Sequence, residues 1–250
     1  MSVLTLGFAQ FEGGDVEGFR GVVGGVREAD VILLPEFSNG LPGGRVVPLG
    51  EWVGVLEGVA REHGVYIVGG VLEEAGGCRY SSVVVVEPGG GWRIVYRKRV
   101  LFRGFGVDES RVLCPGSGGS GLVEVGGFRL GFVVCYELRI PELLRGPVLE
   151  GADVIVAPSA WYPGPLKEEH LLVVARARAL DNTVWVAVPN QPAPRFTGRS
   201  LLVDPLGVVR LQLPPGPGYA EAVVDRESLR EARERLPVLR DYVGLSGGRR

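Results

Sequence analysis

Short apolar runs alternate with amphipathic stretches along most of the chain. "VILLP" at 31–35, "VYIVGGV" at 65–71, "SSVVVVE" at 81–87, "LGFVVC" at 130–135, "ADVIVAP" at 152–158 and "VWVAV" at 184–188 are rich in valine, and many are apolar throughout. That pattern suits strands covered on both faces rather than strands with one wet side. Helical spacing predicts helices over about 16–28 and 50–63, and again over about 141–150 and 167–181. Gly64 supplies a stop for the second of these. Beyond Tyr219 the pattern gives one more strand, a helix near 226–236 and a loose Gly/Arg end.

The pattern occurs twice. "ADVILLPE" at 29–36 resembles "ADVIVAPS" at 152–159, and "LGF" recurs at 6–8 and 130–132. "HGVYIVGGV" at 63–71 is matched by "NTVWVAVPN" at 182–190, and "SSVVVVEPGGG" at 81–91 by "RSLLVDPLGVV" at 199–209. The order is kept and every offset is about 120 residues, too long a period for a solenoid. Each half reads strand, helix, strand, helix, strand, strand. Two such sheets, each with helices on one face, can bury their other faces together. The expected fold is α/β: a four-layer α-β-β-α sandwich with an internal two-fold duplication. One domain is expected over 1–250, with half 1 about 1–115, half 2 about 122–212 and a tail at 213–250.

Composition narrows the partners. The net charge of −2, with no basic run longer than "RKR" at 97–99, argues against nucleic acid or an anionic membrane surface. "MSVLTLGFAQFEGG" has no basic leader, and no apolar stretch is long enough to span a bilayer. Cys78, Cys114 and Cys135 are odd in number and widely spaced, so neither a disulfide framework nor a zinc site is expected. The corresponding location is a reducing cytoplasm. The 25 arginines stand against two lysines, Lys98 and Lys167. A lysine kept in such a chain points to a position that needs a compact amine, which arginine cannot supply.

Three reactive side chains sit just past predicted strands: Glu36 after "VILLP", Lys98 after "GWRIVY" and Cys135 after "FRLGFVV". Alone, each has an ordinary reading: a loop acid, a surface cation and a small apolar filler. Together at converging strand ends, a carboxylate base, an amine and a thiol make coherent acyl-transfer chemistry. "GSGGSG" at 116–121 fits G-x-G-x-x-G, but a hairpin rather than a helix should follow it, so it is read as a loop and not a nucleotide site. His63 at a helix end and His170 on an amphipathic helix are read as structural.

At these residues the chain resembles the nitrilase (carbon–nitrogen hydrolase) superfamily, in its omega-amidase-like branch. The resemblance rests on "LLPEF" at Glu36, "YRKRVLF" at Lys98 and "CYELRIPE" at Cys135, with "RARALDN" at 176–182 and the closing "GRSLLVDPLGVV" and "RERLPVLRDY". It covers nearly the whole chain and implies an αββα fold and a Glu–Lys–Cys triad. Glu109, in "DESRVLCPG", matches the family's second active-site glutamate. The resemblance further implies an oxyanion site at Lys98 and the backbone N–H of Tyr136, no metal or organic cofactor, and a homodimer or larger homo-oligomer. Arg139 and Glu142 match a structural "R-x-P-E" turn and are expected to pair there. Trp161 and Tyr162, in "PSAWYPGP", fall where relatives shape the substrate pocket. The implied reaction is hydrolysis of a small linear amide, with carboxylate-bearing amides among the candidates. N-carbamoyl amide or nitrile hydrolysis are alternatives, and a catalytically silent binding protein is the rival from another class. "CYE" rather than "CWE" is similar to the amidase branch.

Overall fold

The computed structural model describes residues 3–119 and 121–247. In chain order, the first half contains β1 (Val3–Gln10), α1 (Val16–Val23), β2 (Val31–Leu34), α2 (Leu49–His63), β3 (Tyr66–Ala75), β4 (Cys78–Val86) and β5 (Trp92–Arg97). A small hairpin, β6 (Arg103–Gly104) and β7 (Val107–Asp108), leads through a single-turn 3-10 helix at Glu109–Arg111 to β8 (Val123–Val125). The second half follows with β9 (Phe128–Phe132), α3 (Pro141–Leu149), β10 (Val154–Val156), α4 (Lys167–Asn182), β11 (Trp185–Val188), β12 (Leu201–Val203) and β13 (Val209–Gln212). β14 (Gly218–Asp225), α5 (Arg226–Arg235) and α6 (Val238–Gly247) complete the described chain.

The duplication is visible in the hydrogen-bonding pattern. One sheet runs β14-β1-β2-β3-β4-β5 and the other β13-β12-β11-β10-β9-β8. Within the first, β1, β2 and β3 are parallel, and β4 and β5 are antiparallel additions. Within the second, β9, β10 and β11 are parallel, and β12 and β13 are antiparallel additions. Each half therefore has five strands: in the first, β5 is the strand expected at "GWRIVY", and in the second, β13 is an addition to the expected pattern. An antiparallel strand closes each first edge: β14 on β1 and β8 on β9.

Three apolar layers hold the sandwich together. Leu6, Phe8, Leu33 and Val68 of one sheet meet Leu130, Phe132, Val154 and Trp185 of the other in a central layer. Phe19, Trp52 and Leu56 of α1 and α2 pack on the outer face of the first sheet, against Ile32 and Ile67. Leu144, Leu171 and Ala175 of α3 and α4 do the same on the second, against Ile155 and Val186. This is why the strands read as apolar throughout: β2 and β10 are buried on both faces.

Three expectations are corrected. α1 stops at Val23, because the Gly24 and Gly25 that follow are poor helix formers. The tail beyond α5 forms α6 instead of a loose end, while residues 248–250 lie outside the described residues. The third concerns the cysteines. Cys78, opening β4, and Cys114, after the 3-10 turn, are joined in a disulfide, with Cα atoms 5.9 Å apart. The spacing hid this pair, because only the fold lays the 114 segment along β4, where the Cys114 N–H donates to the Arg79 carbonyl at 2.8 Å. Cys135 alone is a free thiol. No helix among the described residues is long and apolar enough to cross a membrane. Residues 116–119 of the glycine-rich stretch form a loop, Ser120 lies outside the described residues, and strand β8 follows instead of a helix.

Candidate active site

Equivalent strand ends in the two halves meet at the site. β2 ends at Leu34 and β10 at Val156, and each is followed within two residues by a proline and then a polar residue, Glu36 or Ser159. The Glu36 N–H donates to the Ser159 carbonyl at 3.3 Å, tying one half to the other. Gly70 on β3 permits this packing: a Cβ there would lie 2.5 Å from the Glu36 Cα. Phe37 turns the chain away with φ +57°.

Lys98 is the residue after β5, and its side chain is fully buried. Its Nζ donates to Glu36 Oε1 and to Glu109 Oε1, each at 2.9 Å. Ser81 Oγ donates to the same Glu36 oxygen at 2.8 Å. Glu109 is placed by the 3-10 turn, and its other oxygen accepts the Phe102 N–H at 2.7 Å. Burial by itself lowers the Lys98 pKa, but the charges of Glu36, Glu109 and Cys135 outweigh it, so the amine is held above the usual lysine range. Burial raises Glu109; the Lys98 charge opposes that and the Glu36 charge adds to it, for a net rise.

Cys135 opens a short 3-10 turn, Cys135–Arg139, three residues past β9. Its φ is +46°, a left-handed conformation that non-glycine residues seldom adopt and that surrounding structure must enforce. The enforcing group is Glu137. This fully buried carboxylate accepts the Val134 N–H at 2.8 Å and the Tyr96 hydroxyl at 2.9 Å on one oxygen. Its other oxygen accepts the N–H groups of Arg99 at 2.7 Å and Val100 at 3.0 Å. One side chain therefore locks the turn of Cys135 to the segment just after Lys98. Burial raises the Cys135 thiol and the Glu36 charge raises it further, against the pull of Lys98.

The thiol lies on a cleft of about 320 Å³, mouth included, lined by Phe102, Glu109, Tyr136, Arg139, Trp161, Tyr162 and Lys167 among others. Glu36 and Lys98 are buried behind it. The structure thus gathers Glu36, Lys98, Glu109, Cys135, Tyr136, Trp161 and Tyr162 in one place. Cys135 and Glu137 commit their own N–H groups to Pro158 and Val134, and the Tyr136 amide lies between them. Arg139 departs from expectation. Among the described residues no ion pair joins it to Glu142; its guanidinium stacks on Trp161, 4.6 Å from the ring centre, and contacts His170 Nδ1 at 3.5 Å. The proline-started helix α3 carries Glu142 away in its first turn, and Glu137 takes the anchoring role. Sequence reasoning missed Glu137 as an anchor and Lys167 as a cleft residue; the scarcity of lysine was the one signal for the latter. Among the described residues no cluster of His, Cys, Asp and Glu could hold a metal ion.

A carboxylate, an ammonium and a thiol in this arrangement can support nucleophilic acyl transfer. Comparisons with known proteins agree in kind. Residues 21–234 match the family model for carbon-nitrogen hydrolases. The chain is 31% identical over 226 residues to a 2-oxoglutaramate amidase of Bacillus subtilis, covering 86% of this chain and 85% of that one. It is 38% identical over 144 residues to a deaminated glutathione amidase of Escherichia coli O157:H7, where the match covers 58% of this chain and 55% of the relative. A CN-hydrolase superfamily protein from Xanthomonas campestris shares the fold, with TM-score 0.85 at 23% identity over 96% of this chain and 97% of that one.

Proposed function

This chain belongs to the carbon–nitrogen hydrolase family, and from that premise we propose that it is a cysteine-dependent amidase. It cleaves the C–N bond of a small linear amide through a thioester, releasing ammonia and a carboxylic acid. The observation that carries the reading is the Lys98 ammonium held between Glu36 and Glu109 beside the Cys135 thiol.

The steps follow from the positions. Glu36 spends Oε1 on Lys98 and Ser81, which leaves Oε2 to take the thiol proton as sulfur attacks the carbonyl. An ammonium has three donors. Two of those on Lys98 are held by carboxylates, and the third, with the Tyr136 N–H, stabilises the oxyanion. Glu36 returns its proton to the leaving nitrogen and ammonia departs, leaving Cys135 as a thioester. Water enters, loses a proton to Glu36 or Glu109, attacks the thioester carbon and releases the acid. The raised thiol pKa suits a nucleophile that is deprotonated during attack instead of standing as a thiolate.

The test is ammonia release across a panel of short amides, N-carbamoyl compounds and nitriles, with Cys135→Ala as control. Amides are expected to turn over, and the variant to remain folded with at least a thousand-fold lower kcat. Turnover of nitriles or carbamoyl compounds alone would reassign the substrate class, and undiminished activity in Cys135→Ala would remove the nucleophile.

A further inference from the structure

A second cavity adjoins the site and is not used by this chemistry. It measures about 650 Å³, mouth included, and shares Glu109 and Tyr162 with the cleft of Cys135. Phe37, Glu109, Leu113 and Phe196 belong to its buried wall, while Val112 and Arg195 lie exposed at its rim. Phe37 directly follows Glu36 in the chain, so this wall adjoins both carboxylates that hold Lys98. Glu109 is the one acid in a buried wall that is otherwise apolar.

Tyr162 divides the two spaces. Its ring contacts Phe102 of the cleft, with centres 6.3 Å apart, and Phe196 of the second cavity, at 5.3 Å. No hydrogen bond tethers its hydroxyl among the described residues, and the residue is 38% exposed. Burial first, and then the charges of Glu36 and Glu109, hold that hydroxyl above the usual tyrosine range, so it stands near both acids. A side chain held only by ring packing can change rotamer without giving up a polar contact. The two halves of the reaction make different demands on this partition. During acylation the cleft has only to admit the amide. Afterwards the acyl group occupies a cleft of about 320 Å³, mouth included, walled by Phe102, Tyr136, Trp161 and Tyr162. It then stands between the mouth and the thioester carbon, which water must still reach.

We propose that the second cavity is the entry route of the hydrolytic water, which reaches the Cys135 thioester past Tyr162 and Glu109. This deepens the amidase reading and rests on it for the thioester itself. An apolar wall passes a neutral molecule the size of water more readily than a charged product, so the acid leaves by the cleft. The water gives a proton to a carboxylate at the inner end of the route, and its oxygen bonds to the acyl carbon. The C–S bond breaks, and the sulfur takes the proton back. Hydrolysis then needs no free path through the cleft while the acyl group is in place.

The experiment loads Cys135 with p-nitrophenyl butyrate and follows the two steps separately. Release of nitrophenolate reports acylation, and loss of the acyl mass from the quenched protein reports deacylation. Val112→Trp places an indole at the rim of the second cavity, away from the cleft. It is expected to slow decay of the adduct about ten-fold or more, with the nitrophenolate burst within about two-fold of the wild type. Val112→Ala adds no bulk and is expected to decay at the wild-type rate. Val107→Trp, on β7 of the small hairpin, obstructs the same cavity independently and is expected to match Val112→Trp. Wild-type decay of the adduct in a folded, obstructed variant, or equal slowing of both steps, overturns the route. The two failures are distinguishable. If no adduct forms on Cys135 in the wild type, the thioester and the amidase reading fall, and the route with them. If the adduct forms but decays alike in all variants, the route alone falls.

Discussion

Glu137 is where a single residue governs most of the site. Four donors converge on its carboxylate, three of them backbone N–H groups that have no alternative partner if it is lost. Glu137→Gln places an amide nitrogen against donors, so it is expected to cost about 2–4 kcal/mol in urea unfolding. It should also lower kcat/KM at least ten-fold, because the turns of Cys135 and Lys98 lose their common anchor. Wild-type stability in this variant would contradict the anchoring role. A second expectation concerns the Cys135 thiol, raised first by burial and then by the Glu36 charge. Below about pH 8.5 an unfolded thiol also keeps its proton, and the stability from the neutral thiol is fully present. Above that, only the native state holds the proton, and stability falls by at most about 1.4 kcal/mol per pH unit. Cys135→Ala lacks this group, so its urea midpoint should decline less than that of the wild type between about pH 8 and 10; parallel declines would count against it. Glu36 and Cys135 were legible because each follows an apolar run directly, and Lys98 because it lies just past a predicted strand in a chain with two lysines. Glu137 and Lys167 were not, because what defines them is contact with Tyr96, Arg99 and Phe105 from distant segments.

At the scale of elements, the loop between β5 and β8 carries much of the site. It supplies Lys98, Phe102 and Glu109, and the Cys78–Cys114 disulfide fastens it to β4. Leu101 and Leu113 pack it against Phe37, Leu72 and Phe196. The bridge spans a sequence separation of 36 residues, for which chain entropy gives about 3–4 kcal/mol of stabilisation. Reduction by a phosphine, or the pair Cys78→Ser with Cys114→Ser, should lower Tm by roughly 5–15 °C. Part of the activity should go with it, as Glu109 loosens from Lys98. A Tm unmoved by reduction would mean that the bridge does not constrain this loop. Four of the five expected helices were readable from periodicity within a residue or so, whereas β3 and β4 extend into the polar residues of their connecting turn, beyond the apolar runs that predicted them. α1 ended early at its glycine pair, and α6 was obscured by the glycines around it.

At the scale of the whole molecule, the outer helix layers leave apolar side chains in water. Leu149 on α3, Val173 and Leu180 on α4, and Val208 beside them are each more than 40% exposed. A second copy of the chain packed on this face is the expected cover, and sedimentation at micromolar concentration should return at least a dimer. A monomer there would refute it.

The sequence by itself determined the duplicated sandwich, since runs apolar on both faces are stable only between covering layers and the same order of runs occurs twice. It also determined which half carries the thiol: the position of Cys135 corresponds to Phe11 in the first copy, a residue buried under α1 and α2. Tertiary structure decided what the remaining charges do. Whether an acid anchors a turn, pairs with a lysine or stays in water depends on which distant N–H groups and cations the fold brings within hydrogen-bond reach. Sequence distance carries no such information: Glu137 lies 41 residues from Tyr96 along the chain and 2.9 Å from it in space.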